Sequence, residues 1–205
     1  YTCLPSADRY FLLLQSAERR CRILKLKAVI MDENAMNRAI TRITYEILER
    51  NKGAENLCII GIFSRGVIIA RRIAEKIAEL EKISVNLGSL DITPYRDDLK
   101  SQPFSELNTR TDINFSIENK KVIIVDDVIY TGRSTRAAID AVIERGRPCS
   151  IQLAVLVDRG HREIPVRPDY VGKNVPTSRN ETVKVMVREL DGTDNAAIFV
   201  PEEVL

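Results

Sequence analysis

The sequence predicts an α/β fold built on a doubly wound, mainly parallel sheet. Three observations carry that expectation. Apolar runs at 57–61 and 122–125 are continuous rather than alternating, and that at 150–157 is interrupted only by Ser150 and Gln152, the pattern of strands buried on both faces. Helical periodicity separates them; Met36, Ile40, Ile43 and Ile47 recur at i, i+4, i+7 and i+11 as one apolar stripe. Glycine-bearing turns leave two of the strands and open helices, at 61–66 and 131–135, which is half of a βαβ unit each time.

Residues 27–30 are a short β-like run. Asp32 is placed to cap a helix, with Glu33 favourable in its first turn. That helix runs to Asn51, and Gly53 is its stop signal. Its second face carries Arg38, Thr41, Arg42 and Tyr45. The strand at 57–61 enters a turn through Ser64, Arg65 and Gly66, and a helix follows over 67–81. The spacing of Gly61 and Gly66 lacks the Lys-Ser/Thr ending of a P-loop. Residues 84–92 alternate as a strand, and a polar stretch then runs to Asn119. A connection of that length without periodicity is often a functional lid.

The stretch at 121–135 reads KVIIVDDVIYTGRST. Its apolar run ends directly in Asp126 and Asp127, and a turn with Thr131, Gly132, Ser134 and Thr135 follows. Open α/β sheets bind ligands at the carboxyl ends of their strands. A turn whose N–H groups converge, with a helix N-terminus behind it, suits a phosphate. The helix over 134–144 has a close-packing face of Ala137, Ala138, Ala141 and Val142 and stops at Gly146 and Pro148. After the strand at 150–157, residues 169–171, 182–187 and 196–200 are short β-like runs.

A chain of 205 residues is long enough for a substantial core. Its formal net charge of +2 does not by itself call for a nucleic acid, although a local basic patch is compatible with it. Cys3, Cys21, Cys58 and Cys149 lack C-x-x-C spacing and, with the single His161, form no zinc-ligand pattern. Cys58 lies in an apolar run, as a buried reduced thiol would. No apolar run approaches a membrane span, so a cytoplasmic protein without a membrane partner is expected. Residues 1–23 differ from the rest. Their apolar patch at 10–14 precedes the basic cluster Arg19, Arg20 and Arg22, the reverse of a secretory signal, and there is no initiator Met. They are expected to be a disordered or non-native extension to a single domain over 24–205.

The stretch at 121–135 closely resembles the phosphoribosyl-pyrophosphate (PRPP) motif of type I phosphoribosyltransferases, an apolar strand, two acids and a T-G-x-[ST] turn. The resemblance implies the type I fold, with a small hood of C-terminal segments and a flexible loop. It implies that Asp126 and Asp127 hold the ribose hydroxyls. Val128, Ile129, Tyr130, Thr131, Gly132, Arg133, Ser134 and Thr135 would bind PRPP or UMP, the turn from Thr131 to Thr135 holding the 5′-phosphate. Ser64, Arg65 and Gly66 would hold the pyrophosphate, with the Ser64–Arg65 peptide the candidate for a strained or cis bond. Arg96, in the loop, would meet the departing pyrophosphate, making Asp126, Asp127 and Arg96 the catalytic set. Mg²⁺ is expected to arrive with PRPP rather than in a protein metal site.

Three further segments, NRAITRITYEILERNKG (37–53), DITPYRDDL (91–99) and IQLAVLVDRGHREIPVRPDYVGKNVPTS (151–178), resemble the PyrR family. These are bacterial RNA-binding regulators of the pyrimidine operon with uracil phosphoribosyltransferase activity. The likeness covers about 24–200. It implies conversion of uracil and PRPP to UMP and pyrophosphate, and a response to UMP or UTP. It implies binding of the pyrimidine operon leader mRNA, not DNA, through Thr41, Arg42, Arg162, Arg167 and Lys173, and a homo-oligomer. Tyr45 stands where the family often has His. The base is expected near Asp158, Arg159 and Val185. Two alternatives stand beside this reading. One is a purine or other base-salvage phosphoribosyltransferase without RNA regulation; the other is a regulator with vestigial catalysis.

Overall fold

A computed structural model describes residues 24–96 and 110–202. The first strand, β1 (Leu24–Met31), leads into helix α1 (Glu33–Asn51). Asp32 caps α1, its carboxylate accepting the Ala35 N–H at 2.7 Å. The helix ends on Lys52, which takes the left-handed conformation (φ 59°) and returns its N–H to the carbonyls of Glu49 and Leu48. The stop therefore comes one residue before Gly53. The predicted stripe of Met36, Ile40, Ile43 and Ile47 is fully buried.

Then follow β2 (Leu57–Ile62), α2 (Arg65–Glu81), β3 (Asn86–Leu90) and a 3₁₀ turn at Thr93–Tyr95. After the second described segment begins come β4 (Lys121–Ile129), α3 (Arg133–Arg145), β5 (Ser150–Asp158) and β6 (Tyr170–Asn174). These strands form one sheet in the order β3-β2-β4-β5-β6, and every neighbouring pair is parallel. Both faces of it are covered. Ile59 and Ile123 face a core built with α1 and α2. Their neighbours Ile60 and Ile124 face a second core with Ala137, Ala138, Ala141 and Val142 of α3. Successive side chains of a strand point to opposite faces, so an unbroken apolar run is what such a sheet requires.

The chain closes with β7 (Thr182–Met186), a short helix α4 (Arg188–Asp191) and β8 (Asn195–Pro201). β7 and β8 do not extend the parallel sheet. β8 pairs antiparallel with β7 on one side and with β1 on the other, in the order β1-β8-β7, as a separate hood. The tail runs at 182–187 and 196–200 thus find their third partner at the other end of the chain. β1 reads LKLKAVIM and is largely exposed. Lysines in its first half would not survive in a strand buried on both faces, which places it in a one-sided sheet. The expected extension at 1–23 and the 97–109 part of the expected loop over 93–119 lie outside the described residues.

Candidate active site

The carboxyl end of β4, the middle strand of the sheet, carries Asp126 and Asp127. Asp126 is buried and Asp127 half-buried. Each caps the next peptide: the Asp127 N–H donates to Asp126 Oδ1 at 2.9 Å and the Val128 N–H to Asp127 Oδ1 at 2.9 Å. Burial first, and then the charge of Asp127, hold the Asp126 carboxyl well above the ordinary carboxylate range. Burial also raises Asp127, while its hydrogen bonds and the nearby Arg65 charge pull the other way. Two like charges this close and this dry are costly, and a ligand that donates hydroxyls to them relieves the conflict.

The pair stands between two clefts. The larger, about 520 Å³, is lined by Phe63, Ser64, Asp91, Thr93, Arg96 and Arg110 together with both aspartates. The smaller, about 280 Å³, is lined by Arg96, Asp126 and every residue from Val128 to Thr135. Gly132 (φ +91°) turns the chain into α3, and the Arg133 N–H reaches Thr131 Oγ1 at 3.4 Å. The turn is braced from outside. The Thr131 carbonyl accepts the N–H groups of Glu163 and Ile164, both at 3.0 Å. Arg162 donates to the Tyr130 carbonyl at 2.8 Å, and Arg133 pairs with Glu163 at 2.9 Å.

On the other side of the pair, α2 presses against β4. A Cβ added to Gly66 would lie 2.6 Å from the Val125 carbonyl oxygen and 3.2 Å from Asp126 Cα, so only glycine permits this approach. The cis peptide is Phe63–Ser64, one bond earlier than the Ser64–Arg65 bond that the sequence singled out. Ser64 lines the larger cleft, whereas Arg65 turns to the hood and pairs with Asp191 at 2.7 Å.

The three base-pocket candidates line neither cleft. Asp158 accepts hydrogen bonds from Arg162 and from the Gly160 N–H, which folds its own loop. Arg159 is buried; it donates to Thr177 Oγ1 and the Ser178 carbonyl and lies 4.1 Å over the Tyr130 ring. Val185 is a core residue of β7 with 1% exposure, so its side chain has no free face. Conversely, Asp91 and Arg110 were not singled out as site residues from the sequence. For Asp91 the signal was present, a carboxylate directly after a strand, as at Asp126.

Among the described residues no three His, Cys, Asp or Glu side chains gather as a metal cage. Asp126 and Asp127 line one cleft together. Such a set suits Mg²⁺, which takes one or two carboxylates and completes its shell with substrate oxygens and water.

Residues 29–189 match the family described as the phosphoribosyl transferase domain. Among curated relatives, the Bifunctional protein PyrR of Deinococcus radiodurans is 55% identical over 178 residues, which is 87% of this chain and 97% of that protein. Those of Clostridioides difficile and Acetivibrio thermocellus are 57% and 59% identical, each over 172 residues or 84% of this chain, and over 97% and 94% of their own lengths. This chain belongs to the PyrR family of phosphoribosyltransferases. Solved hypoxanthine phosphoribosyltransferases share the fold. That of Trypanosoma cruzi superposes with a TM-score of 0.66 at 19% identity, over 86% of this chain and 98% of its own. That of Staphylococcus aureus gives 0.64 at 21%, over 87% and 94%.

Of the RNA candidates in this PyrR-family chain, Arg42 and Lys173 line one groove with Arg38 where α1 crosses the edge strand β6. Thr41 and Tyr45 line the neighbouring groove along α1. Thr41 Oγ1 donates to the Asn37 carbonyl at 2.8 Å. Arg42 is partly spent inside the protein, on Glu46 at 2.8 Å and the Gly172 carbonyl at 2.6 Å, and Lys173 Nζ donates to the Ile30 carbonyl at 2.6 Å. Arg167 is exposed. Arg162 stands apart, with 20% of its side chain exposed and its donors directed at Asp158, Tyr130, Gly160 and Val166. No described helix is long and apolar enough to cross a membrane.

Proposed function

We infer that this PyrR-family protein is a bifunctional regulator and enzyme. It transfers ribose 5-phosphate from PRPP to uracil, giving UMP and pyrophosphate. It also attenuates transcription of the pyrimidine biosynthesis operon as an RNA-binding protein that responds to uridine nucleotides. One observation supports the catalytic reading: Asp126 lines both clefts and Asp127 the larger, with the turn from Thr131 to Thr135 around the smaller.

In the reaction, a bond forms from uracil N1 to C1′, the bond from C1′ to the pyrophosphate oxygen breaks, and the N1 proton is lost. Asp126 and Asp127 accept the ribose hydroxyls and face the positive charge that the ring gains as the leaving group departs. The amides from Thr131 to Thr135 fix the 5′-phosphate, with the α3 N-terminus behind them. Ser64 and Arg96 receive the pyrophosphate in the larger cleft, Gly66 letting α2 approach β4 closely enough to place Ser64, while the Arg65 charge acts on Asp127 from the hood side. Mg²⁺ carried in with PRPP would supply charge neutralisation at the pyrophosphate, beside Asp126 and Asp127. Most of the rate comes from holding these parts in line.

Arg38, Arg42, Arg167 and Lys173 supply the positive surface for the leader mRNA of the operon, with Thr41 and Tyr45 beside them. Sequence-specific RNA recognition targets exposed loops, so a leader hairpin is the expected ligand. The protein works in the cytoplasm as a homo-oligomer. A transferase assay with uracil, hypoxanthine and adenine, run beside a leader-RNA shift with and without UMP, tests both halves. Uracil should be the base consumed, and UMP should tighten the shift. Turnover of a purine in place of uracil overturns the enzyme assignment, and a missing shift overturns the regulatory one.

A further inference from the structure

We propose that Arg110 is a second cation for the pyrophosphate group, held on the rim of the larger cleft by Asp91. The inference rests on the transferase reading and adds a residue pair to it. The sequence placed one cation here, Arg96. The cleft holds two: Arg96 and Arg110 both line it, approaching from opposite ends of the chain segment that separates them. Three carboxylates line the same space, those of Asp91, Asp126 and Asp127. A pyrophosphate, itself highly anionic, meets that acidic wall on arrival. One guanidinium is a small counterweight, and a second lining the same cleft adds a further cationic partner for the group.

Asp91 is the device that fixes both stems. Its Oδ1 accepts the Thr93 N–H at 3.0 Å and the Thr93 hydroxyl at 2.6 Å, which sets the turn leading to Arg96. Its Oδ2 accepts the Arg110 N–H at 3.4 Å, and its own N–H donates to Thr111 Oγ1 at 3.0 Å. The next residue along is locked to β3, since Ser89 and Asp112 exchange both backbone hydrogen bonds at 2.9 Å. The Arg110 backbone is therefore anchored on either side of its Cα, beside the cleft that the residue lines. Burial alone would raise the Asp91 carboxyl. The hydrogen bonds of Thr93 and Arg110, with the Arg110 charge, outweigh it and hold the group below the usual carboxylate range. Asp91 is thus an ionised clamp at neutral pH, a positioning residue that acts through Arg110 and Arg96.

Calorimetric titration of the intact protein with magnesium pyrophosphate, and separately with UMP, tests this. UMP lacks the pyrophosphate and serves as the control for a folded site. Arg110→Ala should weaken pyrophosphate binding roughly tenfold or more, the size expected for losing a charge-assisted contact, and leave UMP binding unchanged. Arg110→Lys should recover part of the loss, and Asp91→Asn should weaken pyrophosphate in the same direction by less. In the transferase assay the Arg110→Ala deficit should appear in kcat/KM for PRPP, not in KM for uracil. Wild-type pyrophosphate affinity in Arg110→Ala overturns the proposal, as does an equal loss of UMP binding. A wild-type protein that makes no UMP but loses pyrophosphate affinity on this substitution overturns the transferase reading and sustains the role of Arg110.

Discussion

Arg65 grips the carboxylate of Asp191 with two hydrogen bonds, Nη2 to Oδ1 at 2.7 Å and Nε to Oδ2 at 3.2 Å. The pair ties the first residue of α2 to the short helix α4 of the hood. Two turns further along the same face of α2, Arg72 reaches Glu189 at 2.6 Å and Asp194 at 2.8 Å. One helix face thus holds the hood by its carboxylates, and its first arginine also acts on Asp127. The placement of the hood and the electrostatics of the acidic pair share a component.

Arg72→Gln should destabilise the protein by about 3 kcal/mol at neutral pH, because it leaves the buried Asp194 carboxylate without its cation. Burial opposes ionisation of Asp194, but its bonds to Arg72 and to the Arg188 N–H win and hold it below the ordinary 3.8. A lowered folded value means the contribution is present at neutral pH and is lost as the pH falls through that value. Thermal melts at pH 7 and at acid pH check both parts. Equal melting temperatures for the two proteins at pH 7 would contradict the assignment.

Asp126→Asn should raise the stability of the ligand-free protein at pH 7 by about 1 kcal/mol, the usual size for relieving a functional-site conflict, while removing most activity. The raised carboxyl of Asp126 contributes stability that is complete below an ordinary Asp value and is lost as pH rises through the folded value. The gap between variant and wild type should therefore widen with rising pH across that window. Asp127→Asn should fold and cut UMP formation at least roughly tenfold, as lost transition-state contacts do. Full activity in Asp127→Asn, or a less stable Asp126→Asn, would count against the pair as the ribose site.

Arg167→Ala should weaken leader binding and lower the slope of log affinity against log salt by about one, the signature of a single phosphate contact. Shift assays over a salt series measure it. An unchanged slope removes Arg167 from the RNA surface.

How much of this was legible depended on whether the chemistry was local in the chain. Asp126, Asp127 and the turn to Thr135 were readable because strand, acids, turn and helix follow one another. The two-sided burial of β2, β4 and β5 was readable from unbroken apolar runs. Asp91 and Arg110 were not, because they lie nineteen positions apart and the pairing of Ser89 with Asp112 is what brings Arg110 back to β3. Val185 lies in a β-like run where the sequence does not say which residues face inward, and its face turned out to be the core. Arg162 is cationic in any reading. That it spends its donors on Tyr130 and Asp158 depends on a loop returning to the phosphate turn, which no spacing rule encodes. The hood needed β1 to find β8 across almost the whole described chain, a pairing invisible to local pattern.

The central claim is that one site serves both enzyme and sensor: PRPP and UMP share a ribose 5-phosphate, which the proposed function assigns to Asp126, Asp127 and the 131–135 turn. Titrating PRPP binding at increasing UMP concentrations tests it most directly. The apparent PRPP dissociation constant should rise in proportion to UMP, with the number of PRPP sites constant and no ternary complex at saturation. Simultaneous, independent binding of PRPP and UMP would contradict the account.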